Sequence, residues 1–218
     1  SNQLIADLKY SNRELEVAYK TTLEGWAKAL ELRDVETKGH SERVVEYTIR
    51  LAHAMGVKED DFDQYYYGAL LHDIGKMGIP DRVLLKESNL NDEEWTIMRL
   101  HPIYGNRLLT SIKHPKFSLD IPTYHHERWN GEGYPFGLKG NNIPLSARIF
   151  SVVDVFDALI NDRAYRKAWS KDDALNYIEE KSGVQFDPRV VEKFLNLVND
   201  KSPGQVEITD RLMSKFEF

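Results

Sequence analysis

The sequence predicts an all-α protein: a helical bundle preceded by one long N-terminal helix. Three observations carry this. Apolar residues recur at helical spacing in segment after segment, as in Val44, Val45, Ile49 and Ala52. The breaks between segments fall at Gly and Pro, as in Met77-Gly78-Ile79-Pro80. No stretch makes a convincing strand.

Residues 3 to about 34 read as one helix, without Pro and with a single Gly. Tyr19, Leu23, Trp26 and Leu30 form a helical stripe, which Leu4, Leu8 and Leu15 extend with gaps. At ~1.5 Å per residue it spans roughly 45 Å, more than a small domain covers. It is either a helix packed on its own domain or a signalling linker. The length favours the linker: it pairs with a second copy, as a homodimer, while its C-terminal half docks on the domain.

Thr37-Lys38-Gly39 interrupts this helix, and a second runs from His40-Ser41 to Met55-Gly56. Asp60 to about Lys76 reads as a third. Asn91 looks like an N-cap, with Asp92, Glu93 and Glu94 in the first turn of a helix reaching about Arg99. Another covers Ile103 to about Ile112. Glu127 to Pro144 holds four glycines and two prolines and reads as a long irregular loop, a kind that is usually functional. Helix returns over Ser146–Leu159, Ser170–Glu180 and Pro188 to about Val198. Residues after Lys201 show no clear pattern. The expected organisation is a linker helix over 1–32, a catalytic domain over 33–200 and a tail over 201–218.

Composition narrows the function. The 218 residues, 41% hydrophobic, suit one globular domain with an extension. A net charge of −6 gives no global basic field, which argues against DNA as a partner. A phosphate-bearing ligand therefore needs local positive charge. The absence of cysteine excludes disulfides and thiolate sites and fits a reducing cytoplasm. A metal must then be held by imidazole and carboxylate, which suits iron, manganese, zinc or nickel. No apolar run approaches the ~18 residues of a membrane span. The opening Ser1-Asn2, without Met, predicts a cloned fragment of a longer protein that carries an upstream sensory domain.

The chemistry centres on His72-Asp73, which follows the apolar Tyr67-Gly68-Ala69-Leu70-Leu71. Burying both costs several kcal/mol unless they are paired or metal-bound. His125-His126 is a second signal, and Asp154, flanked by Val153 and Val155, a third. Asp157 lies three residues on, near the same face, as a decoy. His53 and His114 read as surface groups.

Together with Gly133-Tyr134-Pro135, these pieces resemble the HD-GYP family, a branch of the HD phosphohydrolases, over roughly residues 24 to 198. The resemblance implies an HD-type bundle with two or three divalent metal ions, iron above all, that hydrolyses cyclic di-GMP to pGpG or GMP. It implies metal ligands at His40, His72, Asp73, His101, His125, His126 and Asp154, with Asp73 bridging. Glu36 is either the extra ligand of a three-metal site or a solvated helix-end residue. Cations so held bridge a water and lower its pKa. Lys76 would stabilise phosphate or leaving-group charge, beside Asp73 as catalytic group. Arg163 and Arg166 would grip phosphate or guanine, and Tyr134 would contact the ligand or serve the loop. A cyclase domain is a further implied partner, through the GYP loop. Two other readings stay open: a module that binds cyclic di-GMP without cutting it, and an HD enzyme for another cyclic dinucleotide.

Overall fold

The structure, a computed structural model, describes residues 2–34, 39–112, 118–162, 166–200 and 202–216. It is built from helices, with no strand among the described residues. Helix α1 (Asn2–Arg33) buries only Leu23, Ala27 and Leu30, so its C-terminal half docks and residues 2–18 stand exposed. Trp26 lies outside the buried stripe. After Gly39, whose φ of 77° lies in the left-handed region open to glycine, helix α2 (His40–Ala54) begins. It crosses the centre of the bundle, with Val44, Val45, Ile49, Leu51 and Ala52 buried.

The third helix is shorter than the sequence predicts. A 3-10 turn (Glu59–Asp61) leads into α3 (Phe62–Leu70), and a second 3-10 segment (Ile74–Gly78) follows. His72 and Asp73 therefore sit in a turn, not on a helix. The reason is local and tertiary. The Ala69 carbonyl, which a continuing helix would give to the Asp73 N–H, accepts from His72 Nδ1 at 2.8 Å. Gly75 then lies so close to the next layer that a Cβ there would meet the His101 carbonyl oxygen at 1.8 Å.

Helices α4 (Asp81–Leu84) and α5 (Asp92–Met98) pack together around a small second core of Ile79, Val83 and Leu84. Asn91 caps α5 in a reciprocal box with Glu94, at 2.8 and 2.9 Å. Helix α6 (His101–Thr110) starts two residues before the expected point, with Pro102 in its first turn, and α7 (Asp120–Tyr124) is a short helix the sequence reading passed over. The loop that follows leads into α8 (Leu145–Ile160), which packs on α2 and buries Phe150, Val152, Val153 and Phe156 in the main core. Helices α9 (Lys171–Glu180) and α10 (Pro188–Asn199) cover its far side. The tail has structure: α11 (Pro203–Met213) and the turn after it bury Leu212 and Phe216 in the main core. Phe216 stacks on Tyr66 at 4.5 Å, and the Tyr66 hydroxyl donates to Glu24 of α1 at 2.7 Å. Among the described residues, no helix is long and apolar enough to cross a membrane.

Candidate metal centre

Three helix ends and one loop meet above the middle of α8. The turn after α3 supplies His72 and Asp73, the start of α6 supplies His101, and the end of α7 leads into His125 and His126. Helix α2 supplies His40 at its first turn, and α8 supplies Asp154. Two groups result. Asp73, His101, His125 and His126 bring one donor atom each within 4.8 Å of one another, as do His40, His72 and Asp154. The His72-Asp73 dipeptide joins them, since each group takes one of its members. The His72 ring lies 5.4 Å from that of His40 and 5.3 Å from that of His125.

The orientation of the imidazoles is set from behind. His72 Nδ1 faces the Ala69 carbonyl at 2.8 Å, His101 Nδ1 that of Met98 at 2.8 Å, and His125 Nδ1 that of Ile121 at 2.9 Å. A carbonyl oxygen only accepts, so each Nδ1 carries the proton and each Nε2 presents a lone pair. Those Nε2 atoms converge on Asp73. Oδ1 lies 3.2 Å from His101 and 3.6 Å from His125, while Oδ2 lies 3.1 Å from His72 and 2.7 Å from Lys76 Nζ. The two oxygens of one carboxylate thus serve different sides of the site.

His40 is held between two carboxylates of α8. Its Nε2 is 3.6 Å from Asp154 Oδ1, and its Nδ1 is 2.8 Å from Asp157 Oδ2. Asp157, which the sequence reading set aside as a decoy, is buried and also takes Arg43 at 2.6 and 3.0 Å. Its spacing of three from Asp154 was the available signal. Burial works to raise the Asp157 pKa, but the hydrogen bonds from His40 and Arg43 outweigh it and hold the carboxyl below the usual range.

Electrostatics match a cation site. Burial would raise the Asp73 pKa, yet the carboxyl is held well below the ordinary carboxylate value, with the Lys76 ammonium 2.7 Å from Oδ2 among the causes. Burial lowers His125 even against the pull of Asp73. Burial lowers His126 further, with the neighbouring His125 and His101 adding to it. Neutral imidazoles beside an ionised carboxylate are the protonation states a divalent cation requires. A carboxylate and nitrogen set of this kind, with its outer nitrogens tied to carbonyls and to Asp157, fits two divalent ions.

The surrounding residues vary in how the structure places them. Lys76 reaches Asp73 and also Asp34, at 2.7 Å each. Tyr134 stacks on His126, with ring centres 4.6 Å apart, and the Arg99 guanidinium lies over the Tyr134 ring at 5.6 Å. The buried Glu127 accepts the Phe136 N–H at 2.8 Å and the Leu138 N–H at 2.9 Å, which holds the loop around Tyr134 in shape. Arg166 has its contacts elsewhere: it donates to the Ala158 carbonyl and lies over the Trp169 ring. His53 is half-buried against Phe62. Glu36, Arg163 and His114 lie outside the described residues. The sequence reading missed Asp34, Glu127 and the role of Asp157, all carboxylates that touch a ligand, a catalytic candidate or the loop backbone.

Comparison with known proteins gives the same address. A cyclic di-GMP phosphodiesterase of Thermotoga maritima is 44% identical over 182 residues, which cover 83% of this chain and 48% of that protein. The cyclic di-GMP phosphodiesterase response regulator RpfG of Xanthomonas campestris is 41% identical over 187 residues, covering 85% of this chain and 50% of that protein. The chain spans about half the length of these curated relatives. The crystal structure of a cyclic GMP-AMP specific phosphodiesterase of Vibrio cholerae, V-cGAP3, shares the fold. It aligns with a TM-score of 0.65 at 22% identity over 89% of this chain and 53% of that one. The sequence profile of the HD domain family matches residues 26–190. That match runs from the docked part of α1 to the start of α10 and takes in every described ligand candidate, so the chain belongs to the HD domain family.

Proposed function

We propose that this chain is a metal-dependent phosphodiesterase that hydrolyses cyclic di-GMP to pGpG, and on to GMP where a second cut follows. The observation that supports it most is Asp73. One of its oxygens faces His101 and His125 and the other faces His72, the arrangement of a carboxylate shared between two cations. His40, His72 and Asp154 would hold one ion, and His101, His125 and His126 the other, with Asp73 common to both. Glu36 would add a third. Iron suits this mixed shell, and manganese, nickel or zinc are compatible with it. When bound, the ions supply Lewis acidity and a water of lowered pKa.

The chain's own residues do the rest. The backbone carbonyls and Asp157 keep the imidazoles aimed. Lys76 places a positive charge beside the centre, where it offsets charge on a phosphate oxygen. Tyr134, fixed by His126 and Arg99, offers an aromatic face and a hydroxyl to the nucleotide. Arg163 would grip a phosphate or guanine edge, and Arg166 would join it by leaving the Ala158 carbonyl and the Trp169 ring.

The experiment is anaerobic loading with iron or manganese, elemental analysis, and chromatography of cyclic di-GMP products, with a second cyclic dinucleotide in parallel. Expected are about two or three ions per chain and linear product. His72→Ala and Asp73→Ala are expected to lose both metal and turnover. Tight binding of intact cyclic di-GMP by the loaded protein would replace this reading with that of a sensor.

The same proposal extends to assembly. Leu4, Leu8 and Leu15 are each more than half exposed on the part of α1, residues 2–18, that stands exposed. A second copy would cover them. Light scattering should give a dimer for the whole chain and a monomer when residues 1–18 are removed.

A further inference from the structure

Outside the ligand set, one line of charge joins the centre to helix α1. Lys76 Nζ lies 2.7 Å from Asp73 Oδ2 on one side and 2.7 Å from Asp34 Oδ2 on the other. All three side chains are largely shielded from solvent, so salt screens these contacts weakly. Asp34 directly follows α1, and its N–H still donates to the Leu30 carbonyl at 2.8 Å. Beside it, Arg33 donates to the carbonyls of Met77 and Ile79 at 3.0 Å each and to Asp81 at 2.7 Å. The end of α1 therefore grips the very turn from which Lys76 projects.

An ammonium on Asp73 and a cation on Asp73 want the same electrons. A charge-assisted bond at 2.7 Å is strong, and Lys76 makes one to Oδ2. Asp34 draws the same ammonium from the opposite side with an equal contact. We propose that Asp34 is a positioning residue: it shares the Lys76 ammonium with Asp73, so that carboxylate does not bear the ammonium alone and stays available to the cations, and it does so only while Arg33 keeps α1 docked. Withdrawal of α1 would take Asp34 away, leave the Lys76 ammonium to Asp73 alone and loosen the metals, so the state of the helix is transmitted to the centre. This rests on the metal centre proposed above and not on which nucleotide is cut.

The test measures manganese affinity by calorimetry on the metal-stripped whole chain. The proteins are wild type, Asp34→Asn, Lys76→Met and the double variant, with thermal unfolding as the check on folding. Asp34→Asn should weaken binding about tenfold, the scale of an outer-shell partner, and Asp34→Glu should restore most of it. In the Lys76→Met background, Asp34→Asn should change nothing. Arg33→Ala, which leaves both charges in place, should weaken binding in the same direction and again only when Lys76 is present. It stands in if Asp34→Asn fails to fold. Binding unchanged in Asp34→Asn, or an equal loss with and without Lys76, overturns the proposal. Hydrolysis of cyclic di-GMP without this coupling refutes the role of Asp34 alone. Coupling without hydrolysis refutes the nucleotide reading alone.

Discussion

His101 and His125 point their Nε2 atoms at each other across 3.3 Å, while the Nδ1 of each is tied to a backbone carbonyl. With both protons committed to those carbonyls, two lone pairs face one another in a buried space. A cation between them converts this repulsion into two bonds. The pair is shaped to receive a cation, and that shape has consequences for stability and for the residues around it.

Metal should stabilise the fold measurably. An ion at one hundred times its dissociation constant adds about 2.7 kcal/mol. For a domain of this size that raises the melting temperature by roughly 5–10 °C. Thermal scans with and without manganese check it, and His101→Ala should abolish most of the rise.

Asp157 should matter to metal although it is no ligand. It fixes the His40 ring from Nδ1 and is itself fixed by Arg43. Asp157→Asn should lower metal affinity about 10- to 100-fold. Titration calorimetry on the folded variant reads this directly, and an affinity equal to wild type would remove Asp157 from the centre.

Acid should destabilise the metal-free protein well above the carboxylate range. Burial lowers the pKa of His125 and His126 in the fold, whereas unfolded histidine titrates near 6.5. Below about pH 6.5 the unfolded chain takes up protons that the folded chain refuses, so stability falls as pH falls and is flat above. Asp157, depressed in the fold, contributes only at lower pH, as the medium drops through the carboxylate range. Urea midpoints at pH 7.5 and 5.5 test the histidine part, and His126→Asn should show the shallower decline.

Gly75→Ala should be severe for so small a change. The added methyl would lie 1.8 Å from the His101 carbonyl and 2.4 Å from the Gly105 nitrogen, both backbone atoms that cannot rotate aside. Separating the turn from α6 would cost about 1–3 kcal/mol or more and move Asp73 away from His101. Chemical denaturation and metal content should fall together.

Much of this was legible in the residues alone. The helices α2, α8, α9 and α10 follow from periodicity and caps, because helix formation depends on neighbours three and four positions away. His72, Asp73 and Asp154 stood out as candidates because imidazole and carboxylate have little business in apolar surroundings unless something charged awaits them, whereas His101 came with the family resemblance. Local pattern carried the third helix too far, through His72 and Asp73 to Lys76, since nothing within that segment reports the approach of α6 to Gly75. The tail after Lys201 showed no pattern because its burial depends on Tyr66, far away in sequence.

Only the tertiary structure decided which nitrogen of each histidine faces inward, that Asp157 stands behind His40 at a separation of 117 residues, and that Asp34 shares Lys76 with Asp73. The physical reason is one of range. Spacing along a chain fixes which side chains share a face of one helix, but a metal shell is made where several helix ends pack against each other, and that is set by the fit of their buried surfaces.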